Sequence, residues 1–161
     1  MALRIVPITA DFVREILSWR YEPPYDFYNF VIAPENVEKE IAYFLAPENR
    51  FRQVMRDGVP IAGFSLGLDG QVPGGDYSAE ALDIGLGVRP DLTGQGLGSE
   101  IVRAVTDFAI KLDAPSALRV TIAAFNERAL RVWQKAGFRE VSRFTAEETT
   151  VPFIILIRDV E

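Results

Sequence analysis

Apolar residues recur along this chain in two rhythms, one near 3.6 residues and one near two, and the switches between them mark out the elements. The run from Leu3 to Ile8 reads as a first strand. Thr9 is placed to cap a helix over Ala10–Trp19, with Phe12, Ile16 and Trp19 on one face. An aromatic loop stiffened by two prolines follows, Tyr21 to Asn29, and a second helix is predicted from Pro34 through Val37, Ile41 and Phe44 to Ala46. Phe51–Arg56 and Val59–Leu68 flank Asp57-Gly58, a hairpin signal. Asp69 to Ser78, with three glycines and a proline, reads as a loop, and Ala81–Val88 as a strand. Leu97, Ile101, Val105, Phe108 and Leu112 have the spacing of a buried helix face, predicting a helix over Gly94–Leu112. A strand at Arg119–Ala124 and a helix at Asn126–Ala136, ended by Gly137, precede two closing strands at Phe138–Phe144 and Thr149–Ile157. The predicted order is β-α-α-β-β-β-α-β-α-β-β, an α/β (α+β) chain forming one domain over residues 1–161, without repeat or linker.

Composition narrows the chemistry. The 161 residues are enough to bury a core without staples, and 48% hydrophobic with 25% charged residues is ordinary for a globular protein. Cysteine and histidine are both absent, which excludes thiol nucleophiles, Ser-His-Asp triads and Cys or His metal sites, so no metal is expected. Seventeen basic against 23 acidic residues leave a net charge of −6, which argues against a nucleic-acid or anionic-membrane surface. No apolar run is long enough to span a bilayer, and the opening MALRIVPITADF is not of the secretory type, so a cytoplasmic location is expected.

Candidate chemistry concentrates in one segment, Leu82 to Ser99, where a strand runs into a turn and Gly94, Gly96 and Gly98 lead into the long helix. Glycines allow close backbone approach, and a helix start presents unpaired N–H groups and a positive dipole end, a combination suited to phosphate or pyrophosphate. The plainer alternative is a glycine-rich helix start without a ligand. No lysine follows the glycines as a P-loop requires, and Ser99 with Gly98 one place early breaks the dinucleotide fingerprint.

Thr93-Gly-Gln-Gly-Leu-Gly98 resembles the Gln/Arg-x-x-Gly-x-Gly/Ala signature of the GNAT N-acyltransferase superfamily, and Val88-Arg-Pro is similar to that family's strand end. A second block agrees in order and distance: Asn126, then Arg128-Ala129, then Trp133-x-Lys135-x-Gly-Phe138. The resemblance implies a twisted mixed sheet, flanked by helices and splayed at an acetyl-CoA cleft. It implies pantetheine contacts from the main chain of Leu86, Gly87 and Val88, and a pyrophosphate site on Thr93, Gly94, Gln95, Gly96, Leu97, Gly98 and Ser99. Asn126 would hold the pantetheine arm, with a plain N-cap as the other reading, and Trp133 would line the channel or fill the core.

Two departures matter. Thr93 replaces the usual Gln or Arg, and Trp133 stands where many members carry the tyrosine that protonates the leaving thiolate; an indole N–H cannot do that at neutral pH. A CoA thiolate, with a thiol pKa of about 8.5, can leave without that help. Tyr28 is a substitute candidate, and Tyr21, Tyr25 and Tyr28 are expected to shape the acceptor pocket, with aromatic packing as the alternative. Asp83, out of character in an apolar strand, is the candidate base, unless it faces solvent. The expected activity is direct acetyl transfer from acetyl-CoA to a primary amine of a small molecule or peptide, by a monomer or homodimer. The alternatives are a non-catalytic acyl-CoA sensor or transfer of another short acyl group.

Overall fold

The computed structural model describes residues 2–161 and contains one seven-stranded sheet and four α-helices. Strand β1 (Leu3–Pro7), helix α1 (Ala10–Ser18), helix α2 (Val37–Leu45), the hairpin β2 (Phe51–Arg56) and β3 (Val59–Leu66), and β4 (Leu82–Val88) make up the first half. Helix α3 (Gly98–Asp113), β5 (Ala117–Ala123), α4 (Glu127–Lys135), β6 (Arg139–Thr145) and β7 (Pro152–Asp159) complete the chain. The sheet order is β1-β2-β3-β4-β5-β7-β6, antiparallel throughout except for the parallel β4–β5 pair.

Successive residues of β3 show how the helices divide between the two faces, because side chains alternate along a strand. A Cβ on Gly63 would meet Ile16 and Phe12 of α1, whereas Phe64 packs edge-on against Phe108 of α3 with ring centroids 6.0 Å apart. Helices α1 and α2 therefore cover one face, through Phe12, Val13, Ile16, Ile41 and Phe44. Helices α3 and α4 cover the other, where Ile101, Val105 and Trp133 join Phe64, Leu118 and Leu156 in the larger core cluster. Each fully buried side chain of this kind contributes about 1.5–3 kcal/mol.

Several predicted boundaries move. Helix α3 starts at Gly98 rather than Gly94, because Gly94 (φ 75°) and Gly96 (φ 83°) are left-handed and cannot continue a right-handed helix. Pro34–Asn36 form a separate 3₁₀ turn ahead of α2, and Tyr25–Tyr28 form another within the aromatic loop. Leu68 lies in a turn beyond β3, and β7 starts at Pro152 rather than Thr149. The Thr9 cap forms as predicted, its Oγ1 accepting from the Phe12 N–H at 3.2 Å.

Candidate active site

A cleft opens where β4 and β5 part. They pair only from Leu82–Ile84 to Leu118–Val120; beyond that, β4 pairs with β3 alone and β5 with β7 alone. The gap is a cavity of about 910 Å³ that reaches both sides of the sheet, touching Ile16 of α1 as well as Val102 of α3 and Val132 of α4. The Arg89 N–H donates to the Ile61 carbonyl (2.9 Å) and the Gly67 N–H to the Asp83 carbonyl (2.8 Å), so odd-numbered residues of β4 turn their main chain toward β3. Leu86 and Val88 accordingly present theirs to the gap. The Val88 carbonyl is already reached by the Tyr21 hydroxyl, which donates to it at 2.6 Å.

On the α3–α4 side the cleft is floored by the glycine turn. Among the described residues, the N–H groups from Gly94 to Glu100 donate to no acceptor, and Ile101 is the first to bond, to the Leu97 carbonyl at 3.0 Å. Seven consecutive free donors at the start of a helix dipole make an anion site. The Thr93 hydroxyl is spent on the Pro90 carbonyl (2.8 Å) and the Gln95 amide on the Asp91 carbonyl (2.6 Å), leaving the turn's main chain to face the cleft. A guanidinium Nη1 of Arg128 stands 3.3 Å from where a Gly94 Cβ would sit. Free donors and a nearby cation fit a pyrophosphate.

Asn126 serves two neighbours at once. Its Oδ1 caps α4 by accepting from the Ala129 N–H (3.1 Å), and its Nδ2 donates to the Tyr28 hydroxyl (3.1 Å). Trp133 lines the cavity while remaining buried, packed edge-on against Phe138 with centroids 5.0 Å apart.

On the α1–α2 side, residues 83, 85 and 87 of β4 share a face, but they do not share an environment. Asp83 is 4% exposed and stands directly opposite Arg119 in the strand register. Its Oδ1 accepts from Arg119 Nε (2.7 Å), and its Oδ2 accepts from Arg119 Nη2 (2.8 Å) and Gln71 Nε2 (3.0 Å). Arg119 also donates to the Ala79 carbonyl and lies over the Tyr77 ring. The pair thus pins the loop of residues 71–79 over the middle of the three paired rungs of β4 and β5, and Asp83 does not line the cleft.

The carboxylates that do line it are Asp69 and Glu40. Asp69 Oδ1 accepts from the Tyr43 hydroxyl (2.5 Å) and Oδ2 from Ser65 Oγ (3.2 Å). Both partners are neutral, and Oδ2 is 3.6 Å from the place of a Gly85 Cβ. Asp69 therefore approaches the site that a side chain on β4 would otherwise occupy. Tyr43 is pushed up to about 12 by burial, reinforced by its bond to Asp69. Tyr21 is pushed up to about 12, mainly by burial, and burial raises Tyr28 as well.

Residues 10–138 match the family model described as the Acetyltransferase (GNAT) family, a span that includes the cleft, the glycine turn and α4. The chain belongs to the GNAT acetyltransferase family. No curated protein matches its sequence. Among solved structures, an AAC(6')-Ib complex with paromomycin and acetyl-CoA aligns at a TM-score of 0.75 and 16% identity, over 99% of this chain and 94% of that one. A putative phosphinothricin N-acetyltransferase aligns at 0.71 and 17% identity over 99% of both chains. A spermidine N-acetyltransferase chimera derived in part from Vibrio cholerae aligns at 0.71 and 14% identity, over 98% and 94%. These likenesses show a common fold. Family membership identifies an N-acetyltransferase whose donor is acetyl-CoA.

Against this GNAT frame, the structure gathers Leu86, Gly87, Val88, Thr93, Gly94, Gly96, Gly98, Ser99, Asn126 and Trp133 around one cavity, together with Tyr21, Tyr25 and Tyr28. Gln95, Leu97 and Asp83 do not line it. Tyr43 was assigned no role from the sequence, and Asp69 and Arg128 entered only as members of a loop and of a motif block. Asp69 sits in a glycine-flanked turn that reads as plain loop, and its approach to Gly85 depends on how that turn folds back on β4. Arg119 left a signal: a second charge in an apolar strand, opposite in sign to Asp83.

Proposed function

We propose that this GNAT enzyme transfers acetyl from acetyl-CoA directly to a primary amine bound on the α1–α2 side of the cleft, with Asp69 receiving the ammonium and its proton. One observation carries the reading: a single cleft joins an unbonded run of N–H groups, at Gly94–Glu100, to a carboxylate whose hydrogen-bond donors are both neutral hydroxyls. The glycine turn holds the pyrophosphate, the open edge of Leu86 and Val88 aligns the pantetheine arm, and Asn126 orients Tyr28 beside it. The donor supplies an activated thioester. Asp69 takes one proton from the ammonium. As the freed amine nitrogen bonds to the acetyl carbon, the carbon–sulfur bond breaks and Tyr28 gives its proton to the departing sulfur. The second proton lost from nitrogen restores the Tyr28 hydroxyl, leaving the amide, the CoA thiol and a protonated Asp69. Tyr28, raised by burial, is protonated at neutral pH and able to donate. Asp83, bonded by Arg119 and Gln71, ties β4 to β5 at the paired end below the cleft rather than serving as the base.

The acceptor side is walled by Tyr21, Tyr25, Phe27, Tyr28 and Phe30, with Asp69 and Glu40 as its carboxylates. Such a wall suits an amine on an apolar or aromatic body, held partly by contact between cation and ring. The structural neighbours include proteins named for aminoglycoside and spermidine acetylation, so polyamines and aminoglycosides belong in the acceptor panel. Thiol release from acetyl-CoA is a clean assay, because a chain without cysteine contributes no thiol of its own. Asp69→Asn is expected to lower kcat/KM by about 10²–10⁴-fold. An unchanged kcat/KM would reassign the base.

A further inference from the structure

The Arg128 guanidinium occupies a position that repels it. Nη1 lies 3.3 Å from the Cβ place of Gly94, beside the free N–H groups and positive dipole end of the glycine turn. Among the described residues it belongs to no ion pair, although the chain carries 23 carboxylate side chains and Glu127 is its neighbour in sequence. Its other contact is the face of Tyr25, 4.2 Å from the guanidinium carbon to the ring centroid. A cation kept against a run of N–H donors, with no carboxylate of its own, forms half of a site whose other half is an anion.

We infer that Arg128 is the clamp for the donor's pyrophosphate, supplying the charge that Thr93 does not, and that its stack on Tyr25 couples donor binding to the placement of the acceptor loop. The inference rests on the acetyl-CoA assignment above. Thr93 is uncharged and its hydroxyl is already bonded to the Pro90 carbonyl, so a cation at the turn has to come from elsewhere. Arg128 is in the first turn of α4, nearest Gly94; Arg131 and Lys135 line the same cleft one and two turns further along. The loop that Arg128 grips carries Tyr28 and, through the Tyr21 hydroxyl, touches the open edge of β4. Pyrophosphate drawing the guanidinium down holds Tyr25 with it, so the acceptor pocket is completed after the donor is seated.

Calorimetric binding of CoA, 3′-dephospho-CoA and pantetheine to the wild type and to Arg128→Ala tests the clamp. Loss of a charge-assisted contact is expected to weaken CoA and dephospho-CoA alike by about 10–100-fold and to leave pantetheine within about twofold. Equal loss of pantetheine would show a merely structural role, and sparing of dephospho-CoA would move the contact to the 3′-phosphate; either result overturns the assignment. Hydrogen exchange of residues 21–30 tests the coupling. CoA is expected to protect these amides in the wild type, and less so in both Arg128→Ala and Tyr25→Leu at saturating CoA. Equal protection in all three overturns it. Thermal unfolding of each variant verifies that it is folded. A wild type that binds no CoA would overturn the donor assignment itself, an outcome separate from loss confined to the variants.

Discussion

Two aspartates in this molecule show how position decides what a carboxylate can do. Asp83 faces a guanidinium across the strand register and accepts three hydrogen bonds; Asp69 accepts two, both from neutral hydroxyls, at the edge of the cleft. The first is held in place by its partners, the second is open to a cation. Asp83→Asn leaves Arg119 as an uncompensated buried charge and is expected to cost about 3–5 kcal/mol. Chemical denaturation would register this as a lower midpoint, while folded protein keeps measurable turnover; intact stability with abolished turnover would restore Asp83 as the base. Asp83 was conspicuous in the sequence as a charge in an apolar strand, but its pairing with Arg119 was not readable, because strand pairing across 36 residues of chain is a long-range property. Trp133 was weighed as channel lining or core and is both, buried against Phe138 and lining the cavity.

At the scale of elements, the glycine turn and the parted strands do most of the positioning. Gly94 and Gly96 take left-handed φ values and so delay the helix to Gly98, freeing a longer run of N–H groups than a helix starting at Gly94 would leave. A Cβ on Gly96 meets nothing within 4 Å, so Gly96→Ala is expected to cost only the left-handed penalty of about 1–2 kcal/mol. Gly96→Glu adds bulk and negative charge at the proposed pyrophosphate site and is expected to abolish CoA binding while the protein stays folded. Calorimetry on the two variants separates these effects, and CoA binding by the glutamate variant would remove the turn from the site. The hairpin at Asp57-Gly58, the Thr9 cap and the face of α3 were readable because neighbours within a few residues determine them. The 3₁₀ turn in the aromatic loop was not readable, since Tyr21, Phe27 and Tyr28 are held by contacts to Val88, Phe125 and Asn126 far along the chain.

For the molecule as a whole, two tyrosines bordering the cleft set its response to alkali. Tyr21 and Tyr43 are pushed up to about 12 in the folded protein, against about 10 in an unfolded chain. The folded state therefore holds more protons than the unfolded state between these values, and stability falls as pH rises through that window. Urea midpoints are expected to show no contribution from these two groups below about pH 9 and to decline from pH 10 to 12, with phenolate absorbance appearing late. Full phenolate formation near pH 10 without unfolding would contradict this. Over the neutral range both phenols stay protonated. The alternation of apolar positions and the lack of cysteine and histidine determined the element order and the exclusion of thiol and imidazole chemistry, because these are written in local pattern or composition, and the resemblance of two motif blocks pointed to the family. Which carboxylate is open to the cleft, which is locked to an arginine, and which cation stands over the glycine turn were decided by tertiary structure. Those properties depend on groups up to tens of residues apart being brought within 4 Å, and on how far burial and pairing then alter the cost of a charge.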